Sequence, residues 1–165
     1  MQSGAGLRKG RVVALILQLV RRLEQDGAKA ITTSCGFLVL LQKEMQAQVN
    51  IPVITSSMLQ LPALLALHQK VGALTINSSK LGVEHLRAAG VPNAQMADAV
   101  VQGIDAKSKF STVISGNRAV MDLEQAADVL AAAVALKQRE PKLGCVVLEC
   151  TNMPPYLQRL KRRQV

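Results

Sequence analysis

Apolar residues recur at helical spacing in several segments of the chain, and short apolar runs separate these segments. Over residues 11–25 the apolar positions return every three or four residues, which predicts an amphipathic helix that ends at Asp26 and Gly27. Residues 28–33 are short, largely apolar and end in β-branched side chains, so they predict a buried strand. The chain is therefore expected to open with a helix followed by a strand.

The same alternation continues along the chain. Further helices are predicted over residues 37–49, 59–70, 79–89 and 122–138 and from residue 154 onward. Further strands are predicted over residues 51–55, 71–76 and 142–149, with another around 95–97 that a helix or loop follows. Strands that alternate with helices predict an α/β fold with a mainly parallel sheet. In such folds the chemistry collects at the carboxyl ends of the strands.

Composition and charge narrow the functional classes. The chain has 165 residues, of which 49% are hydrophobic, so it can bury a core. It has no Trp, two Phe and one Tyr, which argues against a nucleic-acid surface built from stacking rings. The net charge of +9 would suit an acidic partner. Much of that charge lies near the two ends, in residues 7–11, 21–22 and 159–163, so solvated termini explain it and no nucleic-acid partner is expected.

The sequence gives little support for a disulfide-rich, membrane, metal-binding or nucleotide-cofactor protein. The three cysteines have no pairing pattern typical of a disulfide framework. No signal peptide is evident and no apolar stretch is long enough to span a bilayer, so a cytoplasmic location without membrane partners is expected. His68 and His85 lie on predicted helices without metal-ligand spacing, so no metal is expected. Neither a GxGxxG nor a Walker pattern occurs, and no cofactor is expected.

Cys35 and Cys150 stand in matching settings, each after a predicted strand and before a predicted helix. Gly36 permits a tight turn, and Thr151 and Asn152 are residue types that begin helices. A helix amino terminus lowers the pKa of a nearby thiol and attracts anions such as carboxylates. Each cysteine alone is better explained as a buried packing residue. The matched pair favours catalysis.

Two residues beside this pair are interpreted differently. Cys145 stands an odd number of positions before Cys150 on the same predicted strand, so it faces the other side of the sheet and is expected to pack in the core. Glu149 is also expected to point away from Cys150, in a structural or supporting role.

Two thiols that face each other across a carboxylate suit the removal of a proton from one face of a carbon and its return from the other. A thiolate acts as the base and the opposing thiol acts as the acid, and the two exchange roles when the reaction runs backwards. This chemistry is racemisation without a cofactor.

The segments TTSCGF and LECTNMPP resemble the two cysteine motifs of the aspartate/glutamate racemase superfamily, which includes glutamate, aspartate and hydantoin racemases. The resemblance implies an α/β fold of two pseudo-symmetric Rossmann-like lobes, the first from residues 1–68 and 142–165 and the second from residues 69–141. It implies that Cys35 and Cys150 are the catalytic acid and base. The substrate carboxylate and amino group would then be held by Thr33, Ser34, Gly36, Thr151 and Asn152. A hydroxyl would come from Ser79 in the loop INSSK or alternatively from Thr75, which directly precedes that loop.

The two ends of the chain depart from the pattern of this superfamily. Its members usually begin with a further strand and loop and continue beyond the second cysteine helix, so both ends, and with them the first lobe, look shortened. A missing edge strand would expose backbone and apolar surface and favour a homodimer. The expected function is an amino-acid racemase or epimerase, with a small carboxylate or amino acid as substrate. The alternatives are a catalytically impaired remnant that binds a small acid or another subunit and, more weakly, a basic nucleic-acid binder.

Overall fold

The computed structural model describes residues 4–118 and 122–156, where helices and strands alternate. The α-helices of this part of the chain are Gly4–Gln25 (α1), Gln42–Gln46 (α2), Leu61–Leu65 (α3), Val83–Ala88 (α4), Lys109–Ser115 (α5) and Leu123–Arg139 (α6). The strands are Ile31–Thr32 (β1), Val53–Ile54 (β2), Lys70–Thr75 (β3), Ala99–Gly103 (β4) and Leu143–Leu148 (β5). Short 3₁₀ helices form at Gly36–Leu41, Ser57–Gln60, Asn93–Gln95 and Pro154–Tyr156. The predicted α/β class is confirmed.

All strand pairings in this part of the chain are parallel. β1 pairs with β2, and β3 lies between β4 and β5 in a second sheet. The hydroxyl of Ser57, just after β2, donates to the carbonyl of Leu148 at the end of β5 over 2.8 Å. This hydrogen bond brings the carboxyl ends of the strands in the small sheet beside the carboxyl ends of the strands in the larger sheet. The sequence predicts the functional site at these strand ends.

Both faces of the larger sheet are covered by apolar side chains. Val71 and Val147 belong to a cluster on one face, whereas Leu74 belongs to a cluster on the other. Most of these buried side chains are Ala, Val, Leu or Met, with Phe110 and Tyr156 as buried rings. The alternation along β3 and β5 therefore fixes which residues face each side of the sheet.

Helix α1 is confirmed, but its apolar stripe is only partly buried. Val20 is buried and packs in a third cluster with Ile31 and Met45. Other apolar side chains of the helix are well exposed, namely Val12 (55%), Leu15 (59%), Leu19 (63%) and Leu23 (45%). The outer face of α1 is therefore an uncovered apolar surface.

Some local predictions were wrong. The strand expected around residues 95–97 is a 3₁₀ turn, and the strand lies instead at Ala99–Gly103, where the apolar run pairs with β3. Residues 37–49 form a 3₁₀ helix followed by α2 rather than one continuous helix. The helix predicted from residue 154 begins as a 3₁₀ turn, Pro154–Tyr156, and its remainder lies outside the described residues.

The division into two lobes stays a prediction. β5 belongs by sequence to the first predicted lobe, and it pairs with β3, which belongs to the second. No helix of the described part of the chain is both long and apolar enough to cross a membrane. A homodimer also stays a prediction.

Candidate functional site

Hydrogen bonds to backbone carbonyls fix the first cysteine loop, which follows β1. The hydroxyl of Thr33 donates to the carbonyl of Thr55 at 2.6 Å, which ties the loop to the end of β2. Cys35 has an extended backbone and immediately precedes the 3₁₀ helix that begins at Gly36. Its carbonyl accepts a hydrogen bond from the Leu38 amide at 3.0 Å, and its side chain is exposed. The thiol therefore stands at the start of a helical turn, accessible to a ligand.

The second cysteine loop follows β5 and is more enclosed. Cys150 is partly buried, and its carbonyl accepts a hydrogen bond from the Met153 amide at 3.0 Å. The side-chain amide of Asn152 approaches the Cys150 sulfur at 3.7 Å, a donor distance suited to sulfur. The sequence thus places a hydrogen-bond donor directly beside the second thiol.

One hydrogen bond joins the two loops. The hydroxyl of Thr151 donates to the carbonyl of Ser34 at 2.8 Å. Thr151 follows Cys150 and Ser34 precedes Cys35, so this contact fixes the two cysteine loops against each other. The predicted substrate-binding residues Thr33, Ser34, Gly36, Thr151 and Asn152 therefore lie on two loops that this hydrogen bond joins, and their roles stay predictions.

The pKa of Cys150 is raised above that of an ordinary thiol. Burial is the largest cause, and the charges of Glu149 and Cys35 act in the same direction. Hydrogen bonds from the backbone and side chain of Asn152 oppose this rise. The expectation that a helix amino terminus lowers the pKa was wrong for this thiol, because burial outweighs the local donors. Cys150 is therefore suited to hold a proton.

Glu149 lies at the junction of β3, β5 and the first cysteine loop. It is 3% exposed, and its Oε2 accepts a hydrogen bond from the buried Thr75 hydroxyl at 2.7 Å. Its Oε1 lies 2.1 Å from the position that a Cβ on Gly36 would occupy. Burial raises the pKa of Glu149, while the Thr75 hydrogen bond lowers it, and the net direction is upward. The supporting role predicted for Glu149 thus gains a specific contact with the Cys35 loop.

The two candidate hydroxyls, Ser79 of the INSSK loop and Thr75 at the end of β3, lie in different surroundings. Thr75 is buried and reaches the cysteine loops through Glu149. Ser79 is exposed, and its hydroxyl donates to Oδ1 of Asn77 at 2.7 Å. The backbone amide of Asn77 in turn approaches the Thr75 hydroxyl at 3.4 Å. Thr75 is therefore connected to the cysteine loops but buried, whereas Ser79 is exposed, and the assignment of either to a ligand stays a prediction.

Sequence reasoning missed the contribution of the loop after β2. Thr55 and Ser57 contact the first cysteine loop and the end of β5, respectively. The sequence ITSS over residues 54–57 repeats the pattern of an apolar strand end followed by hydroxyl side chains, as in TTSC. That repeat was the signal that could have identified these residues.

Two surface hollows border the first cysteine loop. One has a volume of about 270 Å³ and is lined by Thr33, Ser34 and Cys35 on one side and by apolar side chains of α1 on the other. The other has a volume of about 180 Å³ and is lined by residues that include Phe37 and Lys80. A small carboxylate could be accommodated beside the loop. In residues 4–118 and 122–156 no group of three His, Cys, Asp or Glu side chains could hold a metal ion.

Cys145 occupies the environment expected for a packing residue. It packs against the cluster that contains Val71 and Val147, whereas Cys150 packs against the opposite cluster, which contains Leu74. Burial raises the pKa of Cys145. The two cysteines of this segment therefore face opposite sides of the sheet, as alternation predicts.

Comparison with known proteins identifies the family of this chain. The sequence model of the family described as Asp/Glu/Hydantoin racemase matches residues 5–165. The chain belongs to this family. The resemblance drawn from TTSCGF and LECTNMPP is thereby confirmed.

Relatives with curated names include several lyases. A dimethylsulfoniopropionate lyase of Durusdinium sp. clade D is 29% identical over 139 residues, which cover 81% of this chain and 46% of that protein. Dimethylsulfoniopropionate lyase 5 of Emiliania huxleyi (strain CCMP1516) is 33% identical over 150 residues, which cover 86% of this chain and 30% of that protein. The chain thus spans less than half the length of either relative.

Proposed function

We propose that this family member is a cofactor-independent acid–base catalyst in which Cys35 and Cys150 move a proton at the carbon next to a carboxylate. The observation that carries the proposal is the pairing of the two cysteine loops, which the Thr151–Ser34 hydrogen bond joins. The charge of Cys35 is also the smallest of the causes that raise the pKa of Cys150. The substrate class is a small carboxylate or an amino acid.

The two thiols suit different starting roles. Cys35 is exposed and can reach the substrate as the base. Cys150 is partly buried with a raised pKa, which favours the thiol that returns a proton. Proton removal by Cys35 followed by proton delivery from Cys150 on the other face inverts the carbon, and the reverse sequence restores it. This is the racemase or epimerase reaction expected from the sequence.

A β-elimination is a second candidate, and the names of the relatives favour it. The same base would remove the proton next to the carboxylate of a 3-sulfoniopropanoate. The electron pair of that C–H bond would form the new C=C bond while the C–S bond breaks, which releases acrylate and a neutral sulfide. This route uses one cysteine as the base, and its proton passes afterwards to solvent.

One experiment distinguishes these reactions. The protein is incubated in deuterated water with both enantiomers of aspartate and glutamate and, separately, with 3-(dimethylsulfonio)propanoate, and ¹H NMR follows each solution. Loss of the α-proton signal with formation of the opposite enantiomer would support racemisation. Appearance of acrylate and dimethyl sulfide would support elimination. A folded protein that produces neither change would contradict the proposal and favour the impaired remnant that binds a small acid.

A further inference from the structure

A buried hydrogen bond attaches the second cysteine loop to helix α6. The hydroxyl of Tyr156 donates to Oε1 of Gln125 over 2.9 Å, although the two residues are 31 positions apart in the sequence. Tyr156 is 7% exposed and Gln125 is 1% exposed. Breaking such a bond is costly, because each partner would be left without water to replace the other. The loop is therefore firmly held at this point.

Backbone hydrogen bonds connect this attachment to the thiol. The Cys150 carbonyl accepts from the Met153 amide at 3.0 Å, and the Met153 carbonyl accepts from the Tyr156 amide at 2.9 Å. Met153 and Tyr156 also belong to the buried cluster against which the Cys150 side chain packs. The segment from Cys150 to Tyr156 thus forms two consecutive closed turns, and a displacement of Tyr156 would be passed on to Cys150.

Gln125 is itself fixed at the start of α6. Its Oε1 also accepts from the Asp122 amide at 3.0 Å, and its own amide donates to Oδ1 of Asp122 at 3.0 Å. This reciprocal pair is a capping box at the amino terminus of the helix. Phe110 of α5 packs edge-on against the Tyr156 ring, with 6.1 Å between the ring centroids. One glutamine side chain therefore serves both its own helix and the cysteine loop.

The second cysteine loop has another attachment, which is weaker. The hydroxyl of Thr151 donates to the carbonyl of Ser34, and this bond is exposed to solvent. An exposed hydrogen bond contributes less to holding a loop than a buried one, since water replaces either partner at little cost. The position of Cys150 therefore depends chiefly on the buried attachment to α6.

We propose that Gln125 and Tyr156 are positioning residues for Cys150, which keep the loop of this thiol packed against α6. In this role the pair touches no substrate and acts through the burial of the Cys150 side chain. Burial is the largest cause of the raised pKa of that thiol. The inference rests on the proposed function, because it assigns the pair to the thiol that returns the proton.

Tyr156→Phe tests the hydrogen bond with the smallest change. The ring and its contact with Phe110 remain, and Oε1 of Gln125 keeps the Asp122 amide as a donor, so the variant is expected to fold. Alkylation by iodoacetamide at one pH, followed by site-resolved mass spectrometry, measures how readily each thiol is reached. Cys150 should react about threefold to tenfold faster than in the unaltered protein, because losing one hydrogen bond favours positions in which the loop is displaced.

Cys145 is an internal control in the same chain. It packs on the opposite side of the same sheet from Cys150, and its reactivity should stay unchanged in Tyr156→Phe. A purely structural role of Tyr156 would accelerate both thiols alike, through unfolding of the whole protein. Ser108→Ala is the matched control variant, since it removes the hydroxyl that caps α5 and lowers stability. It should leave the ratio of the Cys150 and Cys145 rates unchanged.

A second variant assigns the effect to the pair. Gln125→Met removes the acceptor and keeps a side chain of similar length. It should accelerate Cys150 about as much as Tyr156→Phe does, and the double variant should show no further acceleration, because both changes break the same bond. Gln125→Met also weakens the cap of α6, and the reactivity of Cys145 reports that effect separately.

Unchanged reactivity of Cys150 in Tyr156→Phe, or equal acceleration of Cys150 and Cys145, would overturn the inference. Independent accelerations that multiply in the double variant would overturn it as well. Alkylation needs no substrate, so its result decides the inference even if the unaltered protein exchanges no proton and the proposed function fails. If exchange occurs, Tyr156→Phe should slow it about threefold or more. Exchange at the unaltered rate despite faster alkylation of Cys150 would contradict the positioning role.

Discussion

The hydroxyl of Thr151 donates to the carbonyl of Ser34 over 2.8 Å, although the two residues come from opposite ends of the described chain. Each of them is adjacent to a cysteine, Ser34 to Cys35 and Thr151 to Cys150. This hydrogen bond therefore directly links the two loops on which the proposed proton transfer depends.

Thr151→Val should reduce catalysis more than stability. The hydrogen bond is solvent-exposed, so its loss should lower the free energy of unfolding by about 1 kcal/mol or less. The loops would lose their alignment, and we expect the rate of α-proton exchange to fall about tenfold or more. Urea denaturation and NMR exchange measure the two effects. Thr112→Val is the matched control, since the hydroxyl of the exposed Thr112 in α5 donates to the carbonyl of Ser108, which directly precedes the helix, and it should leave exchange unchanged.

Gly36→Ala should destabilise the protein because the new methyl group meets the Glu149 carboxylate, with 2.1 Å to Oε1. We expect a loss of about 1–3 kcal/mol in the free energy of unfolding, as for other overpacked sites. Gly10→Ala is the control, because nothing lies within 4 Å of its Cβ position, and it should stabilise α1 by about 0.5–1 kcal/mol.

A double-mutant cycle then shows whether Glu149 is the cause. Gly36→Ala should cost less in the Glu149→Ala background than in the unaltered protein, because the colliding carboxylate is absent. Equal costs in the two backgrounds would show that the methyl group meets another obstacle.

The raised pKa of Glu149 predicts a pH dependence of stability. The ordinary pKa of this carboxyl group is 4.5, and its pKa in the folded protein is higher. Between these two pH values the folded protein therefore binds more protons at Glu149 than the unfolded chain does. Its contribution to stability is therefore favourable below about pH 4.5 and is lost as the pH rises through the folded-state pKa. Glu149→Gln removes this loss. The free energy of unfolding of the variant, relative to that of the unaltered protein, should therefore increase from pH 4.5 to pH 7.5 in urea denaturation. A relative stability that falls over this range would contradict the assigned direction.

The sequence predicted the parts of this site that depend on local pattern. Cys35 and Cys150 were identified because each follows a short apolar run and precedes a helical segment, and Cys145 was separated from them by strand alternation. The direction of the Cys150 pKa was not predictable in this way, because it depends on burial by residues from other segments. The contact between Glu149, Thr75 and Gly36 likewise requires three distant segments to pack together.

Alkylation should distinguish the three thiols. Cys35 is exposed, whereas burial raises the pKa of Cys145 and of Cys150, which lowers their thiolate fractions. With iodoacetamide at pH 7.5, Cys35 should react at least several-fold faster than the other two thiols, as measured by site-resolved mass spectrometry. Asn152→Ala removes a hydrogen bond that lowers the pKa of Cys150, so Cys150 should react still more slowly while Cys145 is unaffected. Faster reaction of Cys150 than of Cys35 would contradict the proposed division between base and acid.

The most direct test of the central claim compares α-proton exchange in deuterated water for the unaltered protein and for Cys35→Ala, Cys150→Ala and Cys145→Ala. Each of the enantiomers of aspartate and glutamate, together with 3-(dimethylsulfonio)propanoate, is offered separately. The account predicts that the unaltered protein and Cys145→Ala exchange or eliminate the proton of at least one substrate at similar rates, and that Cys35→Ala loses this activity by a factor of about 100 or more. Retention of full activity in the Cys35→Ala protein would contradict the claim that the paired cysteines form the catalytic site.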